Sequence, residues 1–339
     1  MASARGHRLS YRVGRLDHGI PCQEHHSLKG DRLDSGHHPI SLFLTRSWGM
    51  AKVSIMRSGS PSRTARSAAV HRAAHQVIEG GRVFTDPLAI RLLGESPADI
   101  AGEARAHPER RLIRLFIAVR SRFAEDALCA AVAAGVRQFV VLGAGLDTFA
   151  CRNPHSTVGL TVFEVDHPST QAWKRERLAA AGIDPPPSLT FVPVDFTQRT
   201  LTDGLRAAGF DPHRPSFFSW LGVVPYLTRE NVFATLRSVA ALPGGAEIVF
   251  DYSDPPSTLP PDQRAAHDVS AARVAALGEP WLSHFEADQL AADLGDIGFT
   301  MVEDLGRNAL AARYFGAPAN APQRPGAHVV RAASSPRQR

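Results

Sequence analysis

The chain has 339 residues, 44% hydrophobic and 21% charged, with a formal net charge of +5. That balance suits one large or two modest globular domains with a real core. It argues against a spanning helix, because no apolar stretch approaches the roughly 20 residues needed to cross a bilayer, and the opening MASARGHRLSYRVGRLDHG has no apolar centre of the secretory type.

The positive charge is not spread evenly. Residues 1–67 hold 11 Lys/Arg against 4 Asp/Glu, and the other 272 residues hold 27 against 29. The body is nearly neutral, so no nucleic-acid partner is expected. Residues 1–55, rich in Gly, Ser, His and Arg without sustained periodicity, read as a disordered basic leader. Met50 and Met56 stand near its end, and a downstream translation start there is one hypothesis for the leader's origin. His25, His26, His37 and His38 fall in this tract and are expected to be solvated, so no metal is expected. Cys22, Cys129 and Cys151 are scattered without metal spacing, and reduced thiols in a cytoplasmic protein are the expectation.

From about Ser62 helical and strand-like blocks alternate, the pattern of an α/β protein with a mostly parallel sheet. Helices are predicted at Ala65–Glu79, Pro87–Leu93 and Arg110–Ala134. Strand Phe139–Leu142 then enters a glycine turn and a helix, followed by strand Leu160–Asp166 and helix Thr170–Ala181. Strand Leu189–Val194, helix Leu201–Ala208, strand Ser216–Trp220, helix Arg229–Ala241 and strand Ala246–Asp251 continue the series. The stretch Asp254–Ser283 interrupts it with SDPPSTLPPDQ and GEPW, and reads as a hinged insertion over the site or as a rigid surface connection. Helix Glu286–Leu294 and strands Thr300–Asp304 and His328–Ala333 complete the pattern.

The run FVVLGAGLDTFACR carries the first chemical signal. Gly143 and Gly145 let backbone turn where a side chain would block a ligand. Strand, Gly143-Ala144-Gly145, helix and a second strand ending in Glu164 and Asp166 is the order of a βαβ unit that binds a nucleoside and its ribose. Asp166 could accept two vicinal hydroxyls or cap the helix that starts near Pro168, and Asp195 has the same two readings. Thr148 stands where a dinucleotide loop has its third glycine. Asp147 inside the loop would repel a pyrophosphate yet accept bonds from an ammonium group. The balance favours S-adenosylmethionine over NAD, with an NAD-dependent oxidoreductase or a catalytically silent binding module as alternatives.

Nine segments in order resemble the leucine carboxyl methyltransferase-like family of S-adenosylmethionine-dependent methyltransferases, in its bacterial branch of mostly unassigned substrate. They are SRTARSAAVHRAAH, FTDPLAIRLLG, VRSRFAEDAL, VVLGAGLDTFACR, FEVDHPSTQAWKRERL, FVPVDF, WLGVVPYLT, GEPWLSHF and NALAARYF, and the resemblance covers roughly Ser62 to Ala333. The resemblance implies a Rossmann-like class I methyltransferase sheet whose last strand runs antiparallel between its two predecessors. It divides residues 56–339 into a helical cap (62–135), a cofactor-binding core (136–252), a lid insertion (253–284) and a C-terminal part of the core (285–335).

The resemblance also implies roles. Arg120 would bind the cofactor's methionine carboxylate, a planar anion suited to a guanidinium. Gly143 and Gly145 would pass beneath the methionine and ribose, with Asp147 near the amino group. Asp166 would take the ribose hydroxyls, Asp195 the adenine amino group and Phe196 one face of the ring, while Glu164 is a strand-end charge with local partners. Leu221 in WLGVVPYL departs from a family glutamate, and Thr85 replaces the first acid of a DDP motif. The methyl acceptor is then a small molecule or a protein terminus, methylated on a carboxylate or a hydroxyl. A carboxylate needs no general base, a hydroxyl does, and no Asp–His pair stands out to serve. Tyr226, Tyr252, Arg313 and Tyr314 are the substrate-side candidates.

Overall fold

The structure is a computed structural model and describes residues 62–195, 200–276, 278–318 and 324–336. Seven strands form one sheet: β1 (Gln138–Leu142), β2 (Thr161–Asp166), β3 (Leu189–Pro193), β4 (Ser216–Trp220), β5 (Ala246–Ser253), β6 (Met301–Leu305) and β7 (Ala327–Ala333). Their spatial order is β3-β2-β1-β4-β5-β7-β6. The first five are parallel, and β7 lies antiparallel between β5 and β6, as expected. The strand order reverses between β1 and β4, so a crevice opens beyond the carboxyl ends of these strands. β1 and β4 are buried along their whole length, which explains why their sequences run apolar rather than alternate.

Local chemistry starts the helices. Ser62 caps α1 (Arg63–Ile78) by accepting from the Ala65 N–H, and Asp86 caps α2 (Pro87–Leu93), which closes on a left-handed Gly94. Ser96 caps α3 (Pro97–Ala106), a helix absent from the sequence expectation although Ser-Pro-x-Asp is a good start signal. The 23-residue α4 (Arg111–Ala133) completes the cap ahead of β1. After the strands begin come α5 (Pro168–Ala180), α6 (Leu201–Ala207), α7 (Arg229–Ala240), α8 (Pro261–Ala276), α9 (Ala287–Asp296) and α10 (Arg307–Phe315).

Three cores result. On one face Phe123 and Leu128 of α4 and Leu310 of α10 pack on Phe139, Phe217, Val249 and Val329 of the sheet. On the other, Leu205, Leu236 and Leu290 of α6, α7 and α9 cover Val140, Phe163, Phe218 and Phe250. Ala73, Leu92, Leu146 and Leu178 form the third, which fixes the helical cap to the loop after β1.

The helix expected between β1 and β2 is not formed. Only 3-10 turns at Phe149–Arg152 and Ser156–Val158 occupy that span. Asp147 and Asn153 side chains accept the N–H groups of Phe149 and His155, local bonds that compete with helix formation, and Gly159 turns left-handed before β2.

Helix α8 has no buried residues, but the chain after it is docked. The Leu282 N–H donates to the Pro225 carbonyl at 2.6 Å and the Ser283 hydroxyl to the Val224 carbonyl at 2.9 Å. The Glu279 carboxylate accepts the Arg63 and Thr64 N–H groups at the start of α1. Among the described residues no helix is long and apolar enough to cross a membrane. Among the described residues Cys151 carries a free thiol. The leader 1–55 and its histidines His25, His26, His37 and His38 lie outside the described residues.

Candidate functional site

The turn after β1 is built on two left-handed glycines, Gly143 at φ +64° and Gly145 at φ +49°. A Cβ on Gly145 would come within 2.8 Å of the Ala65 Cβ, so α1 lies directly on the loop. The N–H groups of Gly143 and Ala144 donate to the Val165 carbonyl at 2.9 and 3.1 Å. Asp166 accepts the Gly145 N–H at 2.6 Å on Oδ2 and the His167 N–H at 2.7 Å on Oδ1. The N-cap of α5 is His167, so Asp166 does not cap that helix but closes the glycine loop. Burial pushes its carboxyl up, with the two N–H bonds opposing. Each oxygen keeps a lone pair for a further donor.

A buried polar network holds this loop against the helical cap. The Thr148 hydroxyl donates to Asp86 Oδ1 at 2.7 Å, Arg72 Nε donates to Asp86 Oδ2 at 2.9 Å, and Arg72 Nη2 donates to the Leu146 carbonyl at 2.6 Å. Arg152 Nε reaches Thr148 at 3.0 Å, and the same guanidinium is paired with Glu125. Burial raises the Asp86 carboxyl, but Arg72 and Arg152 outweigh it and hold the group below the usual range. The third-glycine position is thus a tether. Sequence reading missed it because Thr148 and Asp86 lie 62 residues apart and no spacing rule links them.

A second corner lies at the ends of β4 and β5. Arg120 of α4 is buried and donates through Nη1 to Asp251 Oδ2 at 2.8 Å, while the Gly222 N–H donates to Asp251 Oδ1 at 2.6 Å. Gly222 has φ +71°, and a Cβ there would lie 2.6 Å from Arg120 Nη2. Only glycine lets the guanidinium lie along that backbone. Arg120 Nε is buried with no partner among the described residues. Leu221 packs half-buried against the apolar core of α4, and the carboxylate at this corner is Asp251. Val223 joins the two corners, because a Cβ on Gly143 would meet its Cγ2 at 2.5 Å.

The other sequence candidates distribute as follows. Tyr226 is half-buried at the end of β4. Burial pushes its phenol up, a bond from Trp281 opposes this, and the charges of Arg120, Glu279 and Asp251 reach it. Tyr252 is buried on the far side of β5, where its hydroxyl donates to Asp304 at 2.5 Å and its ring stacks on His328 at 4.7 Å. His328 in turn contacts Asp304 and Asp254, whose carboxylates raise its pKa against the effect of burial. Arg313 pairs with Glu303, and Tyr314 donates to Asp126 of α4 at 3.2 Å. These three do not join the Arg120 corner. Asp147 accepts the Phe149 N–H inside the glycine loop, and Asp195 lies half-buried just beyond β3. Phe196 lies outside the described residues. Glu164, near the end of β2, has the local partner expected of it: it is 1% exposed and ion-paired with Lys174 of α5 at 2.5 Å.

The sequence model of the leucine carboxyl methyltransferase family matches residues 65–240. YktD of Bacillus subtilis (strain 168), which bears the name of an S-adenosyl-L-methionine-dependent methyltransferase, is 34% identical over 276 residues, covering 74% of this chain and 90% of that protein. Franean1_4929 of Parafrankia sp. (strain EAN1pec), similarly named, is 36% identical over 192 residues, which is 55% of this chain and 60% of that one. A crystal structure from Thermobifida fusca YX, described as that of a methyltransferase, covers 82% of this chain and 96% of its own at 17% identity and a TM-score of 0.48. The chain belongs to the leucine carboxyl methyltransferase family of S-adenosylmethionine-dependent methyltransferases.

Proposed function

We propose that this methyltransferase transfers the methyl group of S-adenosylmethionine to an oxygen nucleophile, a carboxylate or a hydroxyl, on a small molecule or protein terminus. The observation that supports it most is the buried, unpartnered Arg120 Nε, next to the β1–β4 crevice and joined through Val223 to the Gly143–Gly145 turn. A guanidinium with a spare donor fits the cofactor's methionine carboxylate. Gly143 and Gly145 would carry bare backbone beneath the methionine and ribose, Asp147 would lie near the amino group, Asp166 would offer its free lone pairs to the ribose hydroxyls, and Asp195 and Phe196 would serve the adenine. Of the substrate-side set we assign Tyr226 to the neighbourhood of the cofactor, because the charges of Arg120 and Asp251 reach it.

When bound, S-adenosylmethionine supplies an already activated sulfonium methyl. The chain's own residues then have to bind, orient and exclude water, and positioning carries most of the acceleration. We assign the cap to residues 62–135, the cofactor core to 136–252, the lid to 253–284 and the closing part of the core to 285–335. The docking of Glu279 on α1 and of Leu282 on Pro225 supports a lid that shuts solvent from the crevice.

Calorimetric titration of the full chain with S-adenosylmethionine, S-adenosylhomocysteine and NAD tests the reading. Methyl-donor binding that is weakened in Asp166→Ala supports it. Binding of NAD instead, or an unaffected Asp166→Ala variant, removes the assigned site.

A further inference from the structure

The lid carries a cluster of rings outside the cofactor site. α8 is solvent-covered along its length, yet its His267 side chain is only 15% exposed. The His267 ring centre lies 5.2 Å from that of Trp281 and 5.4 Å from that of His284. His284 Nδ1 sits 3.2 Å from Ser253 Oγ at the end of β5, and Trp281 bonds to Tyr226 at the end of β4. The cluster therefore stands over the same two strand ends that carry Gly222 and Asp251, the neighbours of Arg120.

Within it, the two nitrogens of His267 differ. Nδ1 is 3.2 Å from the Asp268 carboxylate, whereas Nε2 is buried with no partner among the described residues. An imidazole carries its proton on the nitrogen that faces a carboxylate, which leaves Nε2 as a bare lone pair. A buried acceptor without a donor is costly, and a ligand O–H at that point would relieve it. Burial and the nearby His267 both lower the pKa of His284, which favours its neutral form.

We propose that His267 Nε2 is the general base for the methyl acceptor, and that the acceptor is therefore a hydroxyl, of phenol type given the ring surfaces of Trp281, His284 and Tyr226. This rests on the O-methyltransferase reading above and departs from the carboxyl chemistry that the family's description implies. The acceptor's O–H bond breaks and its proton passes to Nε2. The oxygen's electron pair forms the new O–CH3 bond, and the pair of the broken C–S bond returns to sulfur. The imidazolium then releases its proton past Asp268, which is 66% exposed, to water. An ionised carboxylate has no proton to give and would meet the Nε2 lone pair with repulsion.

The test uses the full chain saturated with S-adenosylhomocysteine, with 4-nitrophenol and 4-nitrobenzoate as probes. Ring nitrogen shifts should show His267 as the Nδ1–H tautomer at neutral pH, and 4-nitrophenol should bind as the coloured phenolate below its solution pKa. In His267→Asn, S-adenosylhomocysteine still binds but the phenolate band disappears. An Nε2–H tautomer, a phenol that stays neutral or fails to bind, or a phenolate band that survives His267→Asn overturns the proposal. Failure of S-adenosylhomocysteine itself to bind the unmodified chain would instead overturn the methyltransferase reading, so the two failures are separable.

Discussion

Asp166 on β2 accepts the Gly145 N–H at 2.6 Å, so the carboxylate proposed for the ribose hydroxyls is the one that shapes the glycine turn. Removing it has two consequences. Asp166→Ala strands a buried N–H, which costs about 1–3 kcal/mol of stability. Loss of the hydroxyl acceptor should also weaken donor binding by about tenfold or more. Asp166→Asn keeps one oxygen and should fall between. Thermal melts and calorimetry on the three proteins check both effects, and equal donor affinity in Asp166→Ala would contradict the assignment.

Arg120 is held by Asp251 on one nitrogen while Nε remains without a partner. A lysine keeps the charge but not the planar fork. Arg120→Lys should therefore weaken donor binding by about 1.5–3 kcal/mol with a smaller loss of stability, because Asp251 keeps a cation. Arg120→Ala leaves Asp251, itself 3% exposed, uncompensated, and should lose about 3–5 kcal/mol of stability. Parallel melts and titrations separate the two roles.

Much of this layout is readable along the chain. All seven strands were expected within a few residues, because buried parallel strands give dense apolar runs and short strand–loop–helix units keep their parts in order. Gly143, Gly145 and Asp166 were legible because the turn and its closing acid are bound by a fixed local geometry. The rest depends on distant partners. Nothing in the spacing places Asp86 against Thr148, or Asp251 against Arg120 131 residues away. Tyr252 reads as an available phenol until the neighbouring strands bring Asp304 and His328 onto it. Nothing in the sequence around His267 sets it apart, and only the packing of Trp281 and His284 covers its ring.

Glu164 and Lys174 form an ion pair in which both side chains are 1% exposed. Burial pushes the Glu164 carboxyl up to about 7 despite the ammonium, so desolvation outweighs the attraction on the carboxylate's side. Lys174→Met removes the partner and should cost about 3–5 kcal/mol at neutral pH. Adding Glu164→Leu to that variant should recover the loss and can exceed the starting stability by about 1–4 kcal/mol. Denaturant unfolding of both variants decides the point. A double variant no more stable than Lys174→Met would mean that the pair contributes through something other than charge compensation.

His71 gives the fold a defined response to acid. It sits on α1 at the rim of a cavity that it shares with Arg110 and Arg114. Burial and the charges of Arg110, Arg114, Arg120 and Arg273 lower its pKa to about 4. In the unfolded chain the ring takes a proton near its ordinary pKa of about 6.5, whereas the folded chain refuses it until about pH 4. Stability from this group is therefore complete above about pH 6.5 and is lost as pH falls through that interval, by up to about 3 kcal/mol. Arg273 belongs to α8, so part of that loss should appear as loosening of this helix before global unfolding. His71→Gln cannot titrate, and its urea midpoint should change less between pH 4 and 6.5 than that of the unmodified chain. Hydrogen exchange in α8 over the same interval tests the local part: acid-dependent opening should be present with His71 and diminished with glutamine, and identical pH profiles would show that His71 does not couple cap to lid.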